Sequence, residues 1–540
     1  MPNYSGIQKE ETLKSLVRDD YFSQFGYEPN IDNIDIVITD KKARKGSFFT
    51  PAIWVEKSQE YLEKVFGVDW QENYYIWDCA AGTGNLLAGL TNKYNVWAST
   101  IDQPDVDTIH ALIDEGLNLL HNHIFRFDFL NDSFEKLPEK LLEIINDPEK
   151  RKKLIVYINP PYAEAATAKT VTGTWHNKAE VSTVHGAHNE YKKALGTAAN
   201  ELFSLFMMRI ADKLKGAYLA VFSTVKYVNS SNFARFRANF SAQFKKGFIC
   251  PSFTFDNVNG KFPIGFLIWQ LSYNGYDFKF PKSVKLDVFN AAEKRAAKKK
   301  GFYNKQKYIN EWYTHFYDNN GQEIGIMNTR GNDFQNQNYI RISSENNFNH
   351  TNIITKKNLI VSCIYYAVRH VIPATWLNDR DQFLYPNDGW ERDVEFKNNC
   401  LVYTLFSNNI SSQHGANHWI PFTETEVGAE EKFASNFMSD FLNGLGIREH
   451  GSVESLTVLD AGLELWRYYH SKIKNNNTAS VNASFYDIRE FFQGRKESGT
   501  MNTKSTDETY NALIGKLREA QKALAAKIAP KVYEYGFLKE

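Results

Sequence analysis

The chain has 540 residues, which is too long for a single hydrophobic core and predicts two or three domains. Its 63 Lys and Arg residues balance 63 Asp and Glu residues, which excludes a protein that coats nucleic acid through bulk positive charge. Four cysteines without a CxxC pair cannot build a disulfide framework, and no apolar run is long enough to span a membrane. We therefore expect a soluble, unexported protein of a reducing compartment that meets any polyanion through local patches.

Three regions follow one another along the sequence. Residues 1–45 are predicted to form a polar N-terminal arm that ends in a basic cluster at 41–45. From residue 46 to 280, short apolar runs alternate with helical patterns, which predicts an α/β domain with a doubly wound, mostly parallel sheet covered on both faces. The predicted strands are residues 74–77, 96–101, 154–158 and 217–223, and the predicted helices are residues 109–120 and 201–214.

Residues 281–540 have a different texture, rich in Asn and with aromatic residues interleaved among basic ones. We expect an α+β region there. Near its end, Ser505-Thr506-Asp507-Glu508 fits a capping box and precedes apolar residues at helical spacing. This pattern predicts a final amphipathic helix that breaks near Pro530.

A glycine-containing loop directly follows the first predicted strand and is expected to open a helix. It reads Asp78-Cys-Ala-Ala-Gly82-Thr-Gly84-Asn85, and its glycines allow a ligand to approach the backbone closely. A dinucleotide-binding fingerprint would have a third glycine where this chain has Leu87, which disfavours a nicotinamide cofactor.

Two further acids follow predicted strands. Asp102 lies 20 residues after Gly82, where an acid can accept both hydroxyls of a ribose. Asp128 stands between Phe127 and Phe129, whose rings could sandwich an adenine. Each acid alone is more often a turn or cap residue, but acids at three successive strand ends favour a nucleoside-like ligand.

The segment Asn159-Pro160-Pro161-Tyr162 directly follows the strand predicted at 154–158. Two prolines remove two backbone donors and stiffen the chain, so that carbonyl oxygens are left to accept hydrogen bonds. The amino group of a nucleobase becomes nucleophilic when two fixed acceptors draw its hydrogens out of the ring plane. The Asn159 side-chain oxygen and the Pro160 carbonyl could be those acceptors, and Tyr162 could stack on the base.

These segments together resemble the motifs of the amino-group DNA methyltransferases: Gly46-Ser-Phe-Phe-Thr50-Pro51, the loop 78–84, Asp102, Asp128 and Asn159-Pro160-Pro161-Tyr162. Their order, with the G-x-F-F-T-P segment first and the variable region last, is similar to that of the gamma class of N6-adenine methyltransferases of restriction–modification systems. The resemblance covers roughly residues 44–272. The remainder resembles the family's target-recognition region only in position and size.

The resemblance implies S-adenosylmethionine (SAM) as the cofactor, a SAM-dependent methyltransferase fold for residues 46–280, and no catalytic metal. It implies that Thr50 and Pro51 contact the methionine end of SAM, Asp78, Gly82 and Gly84 its methionine and sugar, Asp102 the ribose, and Asp128 with Phe129 the adenine. It further implies that Asn159, Pro160, Pro161 and Tyr162 hold a flipped target adenine and that Phe262 stacks on it. Phe255 is the alternative to Phe262, and a core ring at a strand start is the structural alternative. The family acid two positions before Asp102 is replaced by Thr100.

The implied partner is double-stranded DNA, and a separate restriction endonuclease or specificity subunit is left open. A DNA-binding patch is predicted at Lys294, Arg295, Lys298, Lys299 and Lys300, with a solvated helix face as the alternative. The stretch 163–200 is predicted to be a loop that orders over DNA. Its three histidines lack a cysteine or clustered carboxylate, so no metal site is expected. A bacterial or phage-encoded protein of the cytoplasm fits these implications.

Other activities stay open or are disfavoured. Methylation of cytosine N4, of RNA or of a protein glutamine uses similar chemistry, although Asn rather than Ser before Pro-Pro favours adenine. A modification subunit that binds DNA and depends on a partner is a further alternative. The chain has no Pro-Cys nucleophile for cytosine C5. Asp388 with Glu395 and Lys397 has the residue types of a nuclease site, but the spacing is short and no strand pattern supports it.

Overall fold

The computed structural model describes residues 50–161, 186–255, 260–290, 296, 298–304, 307–345, 350–474 and 479–539. Two compact units divide the chain: the first comprises Met1–Asn304 and Thr375–Arg380, and the second Lys305–Ala374 and Asp381–Glu540. None of the helices within the described residues is both long and apolar enough to cross a membrane. The N-terminal arm predicted at 1–45 lies outside the described residues.

The first unit is built, within its described residues, on a nine-stranded sheet of order β3-β2-β1-β4-β5-β7-β6-β8-β9. Its strands are β1 (Tyr75–Asp78), β2 (Val96–Thr100), β3 (Ile124–Arg126), β4 (Leu154–Ile158), β5 (Tyr218–Thr224), β6 (Ala242–Pro251), β7 (Pro263–Leu271), β8 (Ser283–Val288) and β9 (Lys298–Tyr303). The first five strands are mutually parallel, β7 is antiparallel to β5 and β6, β6 and β8 are parallel, and β9 is antiparallel to β8. This arrangement confirms the predicted mostly parallel sheet. The boundary predicted at 280/281 lies inside this unit, because β8 and β9 extend the sheet.

Helices cover both faces of the sheet, as expected for a doubly wound fold. They are α1 (Ala52–Phe66), α2 (Trp70–Asn73), α3 (Gln103–Asp114), α4 (Glu139–Asn146), α5 (Pro148–Arg151), α6 (Gly186–Leu195), α7 (Leu202–Lys213), α8 (Lys226–Asn229) and α9 (Ala234–Asn239). Alternate residues of the fully buried strand β4 enter different cores: Val156 packs with residues of α6 and α7, and Tyr157 with residues of α1 and α3. A continuously apolar strand is what burial on two faces requires.

Three predictions about the helices of this unit are wrong in detail. The glycine loop does not open an α-helix; it leads into a short 3-10 turn, Asn85–Leu87. Helix α1 already covers the face of the sheet that a helix after the loop would cover, because Leu62 of α1 shares a core with Leu86 and Leu87. The helix predicted at 109–120 begins earlier, at Gln103, because a proline in the first turn is tolerated. The stretch 163–200 is not all loop, because Gly186–Leu195 is helical.

The second unit combines a small antiparallel sheet with helices, in keeping with the predicted α+β region. Within the described residues its strands β10 (Gly325–Asn328), β11 (Arg341–Ser343) and β12 (Thr351–Ile354) form a three-stranded sheet with β10 in the middle. Its helices are α10 (Ile309–Thr314), α11 (Leu359–His370), α12 (Val394–Leu405), α13 (Glu424–Val427), α14 (Phe437–Gly444), α15 (Ile447–His450), α16 (Val453–Ile473), α17 (Phe485–Gln493) and α18 (Glu508–Glu534). Glu395 and Lys397 of the nuclease-like pattern lie on helix α12.

The final helix forms, but both of its predicted limits are wrong. Asp507, not Ser505, is the N-cap, and its side chain accepts from Tyr510 N over 2.9 Å. The helix also continues through Pro530 to Glu534. Proline removes one hydrogen bond from the helix interior. Burial of Ile528 and Val532 on either side of it holds the apolar face in place, so tertiary packing outweighs the local penalty.

Candidate active site

The carboxyl ends of the parallel strands meet at one edge of the sheet, and the residues predicted for the site follow them. Asp78 ends β1, Asp102 lies two residues beyond β2, Asp128 lies two residues beyond β3, and Asn159 directly follows β4. Strands β1 and β4 are neighbours at the point where the strand order reverses. Ligands of open α/β sheets bind in the crevice at such a switch point. The structure therefore brings these four residues to the edge where a ligand is expected.

Asn159 is tied to the segment that precedes α1. Its Nδ2 donates to Thr50 Oγ1 over 2.9 Å, and Thr50 is buried. Helix α1 fixes this segment, because Trp54 is fully buried and donates through Nε1 to Thr254 Oγ1 over 2.8 Å. Since the amide nitrogen of Asn159 donates to Thr50, its Oδ1 is the end that can accept from a substrate amino group.

A buried carboxyl group lies at the end of β1. Asp78 is 1% exposed, and its Oδ1 accepts from Ala80 N over 3.0 Å. Burial raises the pKa of Asp78 from 3.8 to about 7, although the hydrogen bond from Ala80 opposes the rise. No Lys or Arg side chain pairs with Asp78 within the segments that the structure describes. A cation bound beside it would favour the ionised carboxylate.

The glycine loop adopts a conformation that requires its glycines. Gly82 has φ +55° and Gly84 φ +86°, in the left-handed region that side chains disfavour. Ala81 N donates to Ser99 O over 3.0 Å, which ties the loop to β2. A Cβ atom added to Gly82 would meet no atom of the described residues within 4 Å. The backbone of Gly82 is therefore open to a ligand on that side.

Asp128 and Phe129 offer polar groups to a ligand: the carboxylate of Asp128 and the backbone N–H of Phe129. Asp128 Oδ1 accepts from Leu130 N over 3.1 Å and from Asn131 N over 3.2 Å, and its Oδ2 accepts from Asn131 Nδ2 over 2.7 Å. The carboxylate is thus held in place with acceptor capacity remaining on Oδ2. The N–H of Phe129 has no hydrogen-bond acceptor among the described residues.

The aromatic sandwich expected around Asp128 is not formed. Phe127 and Phe129 are both buried, and the Phe129 ring stacks on Phe206 with 5.2 Å between centroids. The Arg209 guanidinium lies 5.7 Å from the Phe129 centroid. Both Phe side chains belong to the hydrophobic core: Phe127 contacts Trp77 of β1, and Phe129 packs on Phe206 of α7.

The acid expected at the end of β2 has a neighbour that sequence reasoning missed. Asp102 is half-buried at the N-cap position of α3. Asp105, in the first turn of α3, is buried and accepts from Thr100 Oγ1 over 3.4 Å. Thr100 stands where the resembled family has an acid. Its hydroxyl donates to a nearby acid, Asp105, instead. The sequence signal that could have identified Asp105 is an acid in the first turn of the helix that follows β2.

Phe262 and Phe255 differ in exposure. Phe255 is 3% exposed and packs edge-on against Phe222, with 6.1 Å between centroids. Phe262 precedes β7 at the same sheet edge as Asn159 and is only partly buried. The guanidinium of Arg380 lies 5.0 Å from the Phe262 centroid. Arg380 was missed because no local pattern links it to a residue so distant in the sequence.

The lysines predicted to bind DNA lie on a strand, not on the helix face weighed as the alternative. Lys298, Lys299 and Lys300 begin β9, an edge strand, and Lys298 pairs with Val288. Lys299 Nζ is 4.0 Å from Asp287 Oδ1. The strand directions place Lys298 at the edge that carries Asn159, five strands away, or roughly 24 Å before sheet twist is considered.

Some of the predicted residues lie in parts of the chain that the structure does not describe. Tyr162, Lys294 and Arg295 lie outside the described residues. Of the histidines in the stretch 163–200, His188 is buried in α6 and the other two are outside the described residues. Within the described part of the chain, no three His, Cys, Asp or Glu side chains are grouped so that they could hold a metal ion.

No family model matches the chain, and no curated protein sequence matches it. Among solved structures, it is similar to the type I restriction–modification methyltransferase subunit from Streptococcus thermophilus, with TM-score 0.29 and 12% identity over 46% of this chain and 48% of that one. It is also similar to the M protein of the type I restriction enzyme EcoKI, with TM-score 0.28 and 13% identity over 44% of this chain and 50% of that one. A third is a nuclease-deletion mutant of the type ISP restriction–modification enzyme LlaGI with a DNA substrate mimic, with TM-score 0.34 and 14% identity over 62% of this chain and 36% of that one. The chain thus spans half or less of the length of these proteins, and at these scores the likeness assigns no activity to it.

Proposed function

We propose that this protein transfers the methyl group of SAM to N6 of adenine in a specific DNA sequence after the base has turned out of the duplex. The observation that carries the proposal is the hydrogen bond between Asn159 and Thr50 beside the switch point of the sheet. It fixes the amide of Asn159 with its nitrogen toward Thr50, so that the oxygen is the atom of this amide that would accept from a substrate amino group.

The residues after β4 would make the target nitrogen nucleophilic. Asn159 Oδ1 and the Pro160 carbonyl each accept one hydrogen of the adenine amino group, which draws both hydrogens out of the ring plane and localises the lone pair on N6. Pro160 and Pro161 have no N–H of their own and limit backbone motion. Fixed acceptors need no reorganisation during the reaction, which is the usual source of electrostatic catalysis. Tyr162 would stack on the base.

The described residues fit SAM. The Watson–Crick edge of adenine has an amino donor and a ring-nitrogen acceptor, which match the remaining capacity of Asp128 Oδ2 and the unpaired N–H of Phe129. The open side of Gly82 leaves room for a ligand against the backbone, and Asp78 offers a buried carboxylate to a cation. Asp102, together with Asp105, is suited to ribose hydroxyls, and Thr50 with Pro51 lines the methionine end. When bound, SAM supplies an electrophilic methyl group on a sulfonium.

DNA would approach the carboxyl edge of the sheet. Turning the adenine out of the duplex costs a few kcal/mol, which contacts to phosphate and to the exposed base must offset. Lys298 to Lys300 supply positive charge at this edge. The second unit, in keeping with its size and its place in the sequence after the catalytic motifs, would read the sequence of the site.

The test is modification-sensitive sequencing of DNA from a methylase-free bacterial host that expresses the wild-type protein or a variant. We expect N6-methyladenine at one sequence motif with the wild type and none with Asn159→Ala. Asn118→Ala is the matched control. The Asn118 side chain also donates hydrogen bonds, to Leu90 O and Thr91 O, but Asn118 precedes β3 and so lies on the side of the sheet opposite the carboxyl ends of the strands. That variant should still methylate the motif.

Other results would replace the proposal. N4-methylcytosine at a motif would change the substrate base but keep the chemistry. Unmodified DNA, combined with SAM binding by the purified protein, would favour a modification subunit that requires a partner. Methylation by the Asn159→Ala variant at the wild-type level would contradict the role assigned to Asn159.

A further inference from the structure

A short piece of chain from the C-terminal half belongs to the first unit. The segment Thr375–Arg380, here called the return segment, is continuous on both sides with the second unit but clusters with the first. Its side chains Trp376 and Leu377 pack against the core that covers one face of the nine-stranded sheet. The chain therefore leaves the second unit, contributes six residues to the first, and goes back.

Hydrogen bonds fix the shape of the return segment and its place in the first unit. Thr375 N donates to Asn378 Oδ1 over 2.6 Å, and Asp379 N donates to Thr375 O over 3.0 Å. Asn229, which is 3% exposed and ends α8 just beyond β5, donates through Nδ2 to Arg380 O over 2.8 Å. Because β5 separates β4 from β7, this anchor lies between Asn159 and Phe262 along the carboxyl edge.

Arg380 points its side chain at the ring predicted to stack on the target base. The guanidinium lies 5.0 Å from the Phe262 centroid, and Nε is 3.2 Å from Asp379 Oδ2. The Arg380 and Asp379 side chains are only 11% and 19% exposed. The position of the guanidinium is therefore fixed by packing, unlike that of a solvent-exposed ion pair. A guanidinium within about 6 Å of a ring face is attracted by the ring quadrupole.

The backbone of Phe262 is fixed as well. Phe262 N donates to Ser252 Oγ over 3.1 Å, and Ser252 N donates to Phe262 O over 2.9 Å. Ser252 is fully buried directly after β6. With the backbone fixed and one side of the ring occupied by Arg380, the ring has a set plane, and its remaining exposed surface is what a base could stack on.

We propose that Arg380 is a positioning residue of the target-base site: it backs the ring of Phe262 and sets the plane on which the flipped base stacks. That the base stacks on Phe262 rests on the resemblance of the sequence motifs, and the identity of the base as adenine rests on the proposed function. The inference adds that the base site is completed by a segment embedded in the sequence of the second unit. A cation on one face of the ring also draws electron density away from the other face, which favours stacking of the electron-rich purine there.

The test is a double-mutant cycle on binding of short single-stranded oligo(dA), which offers unpaired adenine without a recognition sequence and without turnover. Arg380→Met keeps most of the side-chain length but removes the charge. It should weaken oligo(dA) binding by at least roughly 2-fold and by no more than roughly 30-fold, because the contact lies within the protein and its full strength is the most that loss of the ring's position can cost. In a Phe262→Leu background the same substitution should have little further effect. Thermal unfolding followed by circular dichroism checks that each variant is folded.

The matched control is Lys152→Met. Lys152 Nζ lies 5.5 Å from the Tyr273 centroid in the same unit, where Lys152 precedes β4 and Tyr273 follows β7, at the opposite edge of the sheet. This variant also removes a cation from an aromatic ring, and oligo(dA) binding should be unchanged. Arg380→Lys should recover part of the affinity that Arg380→Met loses, because the charge returns without the planar guanidinium.

Each outcome has one meaning. Equal binding by wild type and Arg380→Met, an equal loss with and without the Phe262 ring, an equal loss in the Lys152 control, or no binding of oligo(dA) by the wild type would overturn the inference. Coupling between Arg380 and Phe262 in a protein that methylates no DNA would keep the base site and reject adenine methylation by this protein acting alone. Methylation in cells without that coupling would keep the function and reject the role of Arg380.

Discussion

Asn159 and Thr50, 109 residues apart in the chain, meet through a hydrogen bond of 2.9 Å from Asn159 Nδ2 to Thr50 Oγ1. The two residues belong to different predicted contacts, Thr50 with the cofactor and Asn159 with the target base. Their contact joins the two halves of the candidate site. It also gives Thr50 a second task, because an amide that can rotate freely would offer its nitrogen as readily as its oxygen to the substrate.

Replacement of Thr50 should therefore impair the chemical step. Thr50→Val keeps the shape of the side chain but removes the hydroxyl that accepts from Asn159. A net hydrogen bond contributes about 1 kcal/mol, so we expect kcat for DNA methylation to fall by roughly 5-fold at saturating SAM and DNA. Thr50→Ser retains the hydroxyl and should stay near the wild-type rate. Equal rates for all three proteins would contradict this role.

Gly82→Ala should affect cofactor binding more than folding. The left-handed backbone of Gly82 costs an alanine about 1 kcal/mol, and its Cβ would enter the open space assigned to SAM. We expect SAM affinity, measured by calorimetry, to fall by about ten-fold or more through steric overlap. Gly428→Ala is the control: Gly428 is also left-handed, with φ +69°, and has equally open surroundings, but it caps α13 in the second unit. It should lose similar stability and no SAM affinity, and an equal loss of affinity in both would reject the assignment.

The sheet was predictable because its central strands are continuously apolar. Strand β4 occupies the predicted residues 154–158, and β1, β2 and β5 differ from prediction by one residue at their ends. Burial on both faces leaves a strong local signal. Pro530 shows the converse, since the local signal for a helix break was overridden by burial of Ile528 and Val532, which only the tertiary structure reveals.

The candidate site was predictable to the same extent. Residues that directly follow parallel strands must gather at one edge, so Asp78, Asp128 and Asn159 could be placed together from the sequence. Arg380 could not, because its contact with Phe262 depends on the chain re-entering the first unit after about seventy residues of the second. The burial of the Phe129 ring depends on packing against Phe206, which no local pattern encodes.

The β9 lysines should contribute to DNA affinity through phosphate contacts. We propose Lys298→Gln/Lys299→Gln rather than charge reversal, because a carboxylate at 299 would face Asp287 and disturb its hydrogen bond with Tyr61. The slope of log affinity against log salt should decrease in magnitude by about 2, close to one per lysine. Lys152→Gln/Lys245→Gln removes two charges near the opposite edge and should leave the slope unchanged. An unchanged slope in the β9 variant would remove these lysines from the interface.

Asp78 gives the site a pH dependence whose sign follows from its burial. Burial raises the pKa of Asp78 to about 7 in the folded protein, whereas the ordinary pKa, expected in the unfolded chain, is 3.8. Between those values the native state holds a proton that the unfolded state has lost. The contribution of Asp78 to the free energy of unfolding therefore falls as pH rises through this window, and it is constant above it. A cation bound beside Asp78 opposes this preference for the protonated form, because the cation favours the carboxylate.

We expect SAM affinity to rise with pH up to about 7, by at most roughly ten-fold per pH unit, and to level off above it as Asp78 ionises in the free protein. Adenosine, which has no positive charge, serves as the control ligand, and its affinity should not rise with pH. Asp78→Asn cannot ionise, so it should bind SAM more weakly at pH 8 and show a flat profile through this range. The measurement is calorimetric titration of wild type and variant at several pH values. A profile in the Asp78→Asn variant as steep as that of the wild type would assign the titration to another group.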